Sequence, residues 1–140
     1  MKVRDAMAKT ITSARPTSTV ADVAEIMKKE DSGFVPVIED GKRLVGVITD
    51  RDIVIRCLAE RHTDYLREPI ELIMTKDVHA IGADEDLEAA AEMMSRDEIR
   101  RLAVTEAGQL VGVLSHGNLV QAFHGEGPAK LATTGITRGA

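Results

Sequence analysis

The sequence predicts an α+β fold built from two like halves, and three observations carry that reading. First, the chain matches itself when shifted by 67 residues. Met7 falls on Met74, Val20 on Leu87, Ala24 on Ala91, Met27 on Met94, Val35 on Leu102, Val37 on Val104 and Gly41 on Gly108. Beyond that glycine the offset becomes 66, and Leu44-Val45-Gly46-Val47-Ile48-Thr49 lies on Leu110-Val111-Gly112-Val113-Leu114-Ser115. Register kept through both glycines marks an internal duplication. Second, each copy carries one apolar helical stripe at i, i+3, i+4, i+7: Val20, Val23, Ala24, Met27, then Leu87, Ala90, Ala91, Met94. Third, each stripe is followed by two short apolar runs joined by a glycine turn, which reads as a hairpin.

Each unit reads as strand, helix, hairpin, helix. A brief strand is expected over Thr10–Ala14 and again over Asp77–Ile81. The helix that follows is expected to be capped by Thr19 in copy one and Asp86 in copy two, whose side chains can accept from free backbone N–H groups. The strands are Phe34–Ile38 and Leu44–Ile48, then Arg101–Thr105 and Leu110–Leu114. Between them, Gly41 and Gly108 supply the positive φ of a tight turn. A second helix is expected to start near Asp50 and near His116. Along the chain this gives a first repeat over residues 1–61, a connector over 62–67, a second repeat over 68–124 and a mobile tail over 125–140. Units of this size bury too little surface to stand alone, so the two should pack together about a pseudo-twofold axis.

Composition narrows the function. The 140 residues are 44% hydrophobic and 29% charged, a globular balance, but only 2% aromatic. Phe34, Tyr65 and Phe123 are the aromatics, so the core must be aliphatic. A net charge of −5 argues against a nucleic-acid binder that relies on a bulk positive field. The single Cys57 excludes an internal disulfide and a multi-cysteine zinc site. The histidines His62, His79, His116 and His124 form no His-x-x-x-His pair, so no metal site is expected. Cys57 reads as a small core residue, and His62 and His124 as exposed. The methionines read as gap-fillers, and Asp84-Glu85-Asp86 as a charge cluster at a helix start. No apolar run approaches the length that spans a bilayer, and no signal-peptide stretch follows the charged start. A soluble cytoplasmic protein is expected.

Gly46-Val47-Ile48-Thr49-Asp50-Arg51-Asp52-Ile53 resembles the signature of the cystathionine-β-synthase (CBS) domain: glycine, two apolar residues, Thr or Ser, two variable residues, then Asp. Phe34-Val35-Pro36-Val37 resembles that family's apolar-Pro-Val strand. Val3-Arg4-Asp5-Ala6-Met7 and Pro69-Ile70-Glu71-Leu72-Ile73-Met74 resemble its lead-in helices. The resemblance covers residues 2–124, and the duplicated set at fixed spacing is its specific part. It implies a stand-alone tandem CBS pair whose clefts can hold an adenosine-containing ligand such as AMP, ADP, ATP, NAD or S-adenosylmethionine. It also implies that two pairs associate into a disc-shaped homodimer.

The chemistry suits such a ligand. A carboxylate inside a helix start can accept from a ribose diol, and a hydroxyl three residues earlier can reach ribose or phosphate. Thr49 and Asp52 match both roles; taken alone they read more readily as a helix cap, and the family resemblance reverses that preference. Copy two reads Ser115-His116-Gly117-Asn118, so the hydroxyl is kept and the carboxylate is lost. Carried over from the family, Thr49 and Asp52 would face Val78, His79, Ala80, Ile99 and Arg100. Arg101 and Arg51 stand nearby, and a guanidinium can grip phosphate. Ser115 and Asn118 would face Ile11, Thr12, Ser13, Ser32, Gly33 and Pro36, a set without a cation, so the second site is the weaker. Copy two also has Ala103 where copy one has Pro36.

The expected function is a regulatory module that senses an adenosine nucleotide and signals by a conformational or dimer change that an effector protein would read. The alternative is a structural or interaction dimer that binds no nucleotide. No nucleophile–base pair or paired catalytic carboxylates can be placed together, so no enzyme and no required cofactor are expected. Nucleic-acid binding through the edge from Arg96 to Arg101 is disfavoured by the acidic total.

Overall fold

The computed structural model describes residues 1–123; His124 and the tail expected to be mobile lie outside the described residues. In chain order the elements are α1 (Val3–Ala6), α2 (Val20–Glu30), β1 (Phe34–Glu39), β2 (Arg43–Thr49), α3 (Asp50–Asp52) continued by a π-helical segment (Ile53–Leu58), β3 (Ala80–Gly82), α4 (Leu87–Asp97), β4 (Arg101–Glu106), β5 (Gln109–Ser115) and α5 (His116–Phe123). A 3-10 turn covers Ile70–Leu72. The class is α+β, as the duplicated pattern predicts.

The chain divides into two compact units. One is Thr12–Val78; the other joins Met1–Ile11 to the described residues from His79 to Phe123. Each unit is thus the body of one copy with the lead-in segment of the other. In the unit Thr12–Val78, β1 and β2 pair antiparallel, Phe34 opposite Thr49 and Val35 opposite Ile48. Its core gathers Val20, Val23, Val35, Val37, Ile48 and Cys57 with Ile70, Ile73 and Met74 from the second lead-in. In the other unit, β3 runs parallel to β4, and β4 antiparallel to β5. Its core gathers Leu87, Ala90, Ala91, Met94, Leu102, Val104, Leu114 and Leu119 with Val3 from the first lead-in. The stripe read for copy two is the buried face of α4, whereas in α2 only Val20 and Val23 are buried, Met27 is half-buried and Ala24 is exposed.

The signature glycines explain how the lead-ins dock. A Cβ at Gly46 would lie 2.9 Å from the Thr75 carbonyl oxygen and 3.0 Å from Met74 Sδ. A Cβ at Gly112 would lie 2.5 Å from Met7 Sδ and 2.9 Å from the Ala8 carbonyl oxygen. Hydrogen bonds accompany each approach: Val47 N–H donates to Thr75 O (2.9 Å), and Val113 N–H to Ala8 O (3.0 Å). These glycines leave room for another strand of backbone. Gly41 (φ 73°) and Gly108 (φ 80°) are the turn glycines, as expected, and Lys42 (φ 61°) and Ala107 (φ 50°) join them in the left-handed region.

Several local expectations are corrected. Thr10–Ala14 is no strand: only Ala14 pairs, with Val37, its amide donating to Pro36 O and its carbonyl accepting from Ile38 N–H. The strand expected over Asp77–Ile81 is Ala80–Gly82, set by its pairing with Ala103–Thr105. Thr19 caps α2 in a reciprocal box with Asp22, but the Asp86 side chain does not cap α4. Its carboxylate instead takes Lys2 Nζ at 2.7 Å, while Arg4 takes Asp84 and Glu106, so the acidic cluster holds the lead-in helix. The second lead-in helix is a single 3-10 turn, Ile70–Leu72. The helix expected from Asp50 is α-helical for one turn and then π-helical. His62, expected exposed, is half-buried against Glu68.

Candidate functional site

The turn from β2 into α3 places Thr49 and Asp52 together. Thr49 is the N-cap: its Oγ1 accepts from Asp52 N–H at 3.1 Å, and Asp52 Oδ2 accepts from Thr49 N–H at 2.9 Å. A second pair of contacts reaches the same carboxylate. Thr75 Oγ1 donates toward Oδ1 (3.3 Å) and Oδ2 (3.4 Å), and Arg56 Nε lies 3.7 Å from Oδ1. Asp52 is 7% exposed, the one buried charged residue among those described. A carboxylate offers about four lone-pair positions, so Oδ1 keeps acceptor capacity beyond the cap. Arg56 also donates to the Ile73 and Met74 carbonyls, which ties this guanidinium to the backbone just before Thr75.

Neither Thr75 nor Arg56 was legible as a site residue. Arg56 is four residues past Asp52, a spacing that signals an ion pair on a helix. Thr75 carries no local signal, since it lies 23 positions away and is delivered by the docked lead-in. Ser32 and Gly33, expected around the Ser115–Asn118 turn, stand beside the start of α3, where Asp50 N–H donates to Gly33 O at 3.0 Å. Arg51 is exposed and Val78 half-buried.

In the other unit the turn from β5 into α5 repeats the cap. Asn118 N–H donates to Ser115 Oγ at 3.1 Å, and Asn118 Oδ1 accepts from Ser115 N–H at 2.9 Å. That bond uses one of the two lone pairs on the single acceptor atom of the Asn118 side chain, which carries no charge. Arg101 pairs with Ser115 across β4 and β5, and Arg100 O accepts from His116 N–H at 2.7 Å. Neither Arg100 nor Arg101 forms an ion pair among the described residues, whereas Arg96 is held by Asp97. His79, exposed, lies 3.1 Å from Asp97 through Nδ1. Arg96 above all, with His79 beside it, holds the Asp97 carboxyl below the usual carboxylate range.

A third constellation joins residues that the sequence treated separately. Cys57, His62 and Glu68 bring a sulfur, an imidazole nitrogen and a carboxylate oxygen within 4.8 Å of one another. Searching for paired cysteines or histidines misses it, because each donor type occurs once and the chain turns between them. Burial, and then the neighbouring Glu68 carboxylate, push the Cys57 thiol above its ordinary range. No described helix is long and apolar enough to cross a membrane.

Comparison with known proteins agrees with the fold. The family model of the CBS domain matches residues 3–58 and 69–125. The chain is 32% identical over 117 residues to the CBS domain-containing protein YhcV of Bacillus subtilis, covering 84% of this chain and 81% of that one. Among solved structures it is similar to Hypoxic Response Protein I with two coordinated zinc ions, with TM-score 0.79, 26% identity, 86% of this chain and 98% of that chain. It is likewise similar to CBSX2 in complex with AMP, with TM-score 0.77, 28% identity, 88% of this chain and 96% of that chain.

Proposed function

The chain belongs to the CBS domain family, and we propose that it is a regulatory module that binds an adenosine nucleotide at the Thr49–Asp52 turn. The observation that carries this reading is the buried Asp52 carboxylate. Its cap role needs one oxygen; a ribose diol can use the other, with the Thr49 hydroxyl alongside. The AMP complex of CBSX2 supports the adenosine class. From the family resemblance, Val78, His79, Ala80, Ile99 and Arg100 are assigned to this ligand; Arg100, with Arg101 and Arg51, is assigned to phosphate because a guanidinium can grip it. The Ser115–Asn118 turn is the weaker candidate, with Ile11, Thr12, Ser13, Ser32, Gly33 and Pro36 assigned to it on the same ground.

Occupancy would act by its differential affinity for two states of the protein. Self-association is a natural route. Val54, Ile55, Leu58, Tyr65, Leu66 and Leu72 are 47–69% exposed on the unit Thr12–Val78, apolar side chains that a second copy could cover. The reading includes a cytoplasmic setting and an effector protein that senses the liganded form.

A thermal-shift panel with AMP, ADP, ATP, NAD and S-adenosylmethionine tests it, with Asp52→Asn beside the native chain. Asparagine is the apt replacement, because Asn118 shows that it supports the same cap. A ligand at a hundred times its dissociation constant should add about 2.7 kcal/mol of stability. A shift that Asp52→Asn largely removes supports a sensor. No shift with any of the five favours the structural or interaction dimer.

A further inference from the structure

The cluster of Cys57, His62 and Glu68 takes no part in the nucleotide reading, and we propose that it binds one divalent transition metal ion of the zinc class. A thiolate, an imidazole and a carboxylate are a zinc-type donor set; magnesium and calcium call for oxygen alone. Three protein donors leave one coordination position for water.

The backbone holds all three donors in place. Cys57 sits in the π-helical segment, and its carbonyl accepts from His62 N–H at 2.9 Å. Arg61, at φ 63°, reverses the chain between them. Glu68 N–H donates to Asp64 O at 2.7 Å, and Glu68 O accepts from Val20 N–H at 3.1 Å, which anchors this loop on the start of α2. The side chains then meet: His62 Nδ1 lies 2.9 Å from one Glu68 oxygen and 3.1 Å from the other. Ligands around a tetrahedral zinc stand about 3.4–3.8 Å apart, given bonds of about 2.0–2.3 Å. The present spread of up to 4.8 Å closes to that with side-chain movements of about 1 Å.

Burial grades across the cluster: Cys57 is fully enclosed, the Glu68 side chain is 14% exposed and the His62 side chain 36%. The ion therefore enters past His62. On binding, it takes Cys57 Sγ as thiolate, His62 Nδ1 and one Glu68 oxygen. The thiol proton, and any proton on Nδ1, leave to solvent, and no electron is transferred. Copy two cannot repeat the site, since Phe123 stands where Cys57 would be.

The test uses the untagged full chain, stripped with a chelator and titrated with Co2+. The proposal expects saturation at one ion per chain, with a thiolate-to-cobalt charge-transfer band that Zn2+ displaces. With one cysteine in the chain, that band reports Cys57 alone. Cys57→Ser should abolish it. His62→Ala and Glu68→Gln should each weaken Co2+ binding at least about tenfold, the scale that loss of even an outer-shell partner produces. No saturable band in the unmodified chain overturns the proposal and leaves His62–Glu68 as a loop latch only, and misfolding of a variant has no bearing on that result. Unchanged affinity in either His62→Ala or Glu68→Gln overturns it equally.

Discussion

In the turn at Thr49–Asp52 the two cap hydrogen bonds measure 2.9 and 3.1 Å; in the turn at Ser115–Asn118 they measure 2.9 and 3.1 Å. What surrounds them differs. Asp52 meets the Thr75 hydroxyl and the Arg56 guanidinium. In the register of the repeats, the counterparts of Asp52, Thr75 and Arg56 are Asn118, Ala8 and Ala122. The negative charge, the hydroxyl and the positive charge are absent together from the second copy. The comparison teaches that the fold needs only a hydroxyl and a short acceptor at these positions. Asp52's charge exceeds that need, which is why it is read as a ligand contact.

The largest expected effects test the architecture that the two copies share. Gly46→Ala and Gly112→Ala each push a Cβ into backbone of the docked lead-in, and each should cost about 1–3 kcal/mol in denaturant unfolding. The two losses should be similar, because the backbone oxygen stands at 2.9 Å in both, and the closer Met7 Sδ at Gly112 belongs to a flexible side chain that can turn aside. A silent Gly46→Ala would mean the lead-in can give way.

Next come the caps. Asp52→Ala and Asn118→Ala should each lose about 1 kcal/mol of stability. Asp52→Asn should cost less than Asp52→Ala, because it keeps the cap. Equal losses for the two Asp52 variants would mean that its charge serves the fold, and would dissolve the contrast between the turns.

Much of this was legible in the sequence. The duplication, the α4 stripe and both hairpins follow from periodicity and the turn glycines, because local rules govern them; the α2 stripe holds only in part, since Ala24 is exposed. The docking of each lead-in on the other copy was not, because Met74–Thr75 and Met7–Ala8 meet their glycines only in three dimensions. Thr75 was missed as a neighbour of Asp52 for the same reason. The Asp86 cap failed because a lysine 84 residues away competes for that carboxylate. The Cys57, His62 and Glu68 cluster was hidden by a π-helical segment and a left-handed residue that no pattern announces.

The smallest expected effect is electrostatic. Arg4 holds the Asp84 carboxyl, and Lys2 the Asp86 carboxyl, below the ordinary value of 3.8. Groups depressed in this way add stability above the ordinary value, and it is lost as pH falls through the lowered one. In thermal melts, the deficit of Asp84→Asn/Asp86→Asn should therefore be present at pH 7 and vanish under strong acid. Both pairs are exposed, so salt should shrink it. A deficit that persists in acid would mean these carboxylates act through packing instead.

The most direct measurement of the asymmetry is a calorimetric titration of AMP into the native chain, Asp52→Asn and Asn118→Ala. The account predicts one nucleotide per native chain and unchanged affinity in Asn118→Ala. It predicts affinity about fivefold to thirtyfold weaker in Asp52→Asn, from loss of a charge-assisted hydrogen bond worth about 1–2 kcal/mol more than a neutral one. Two equivalent sites per chain, or native affinity in Asp52→Asn, would contradict it.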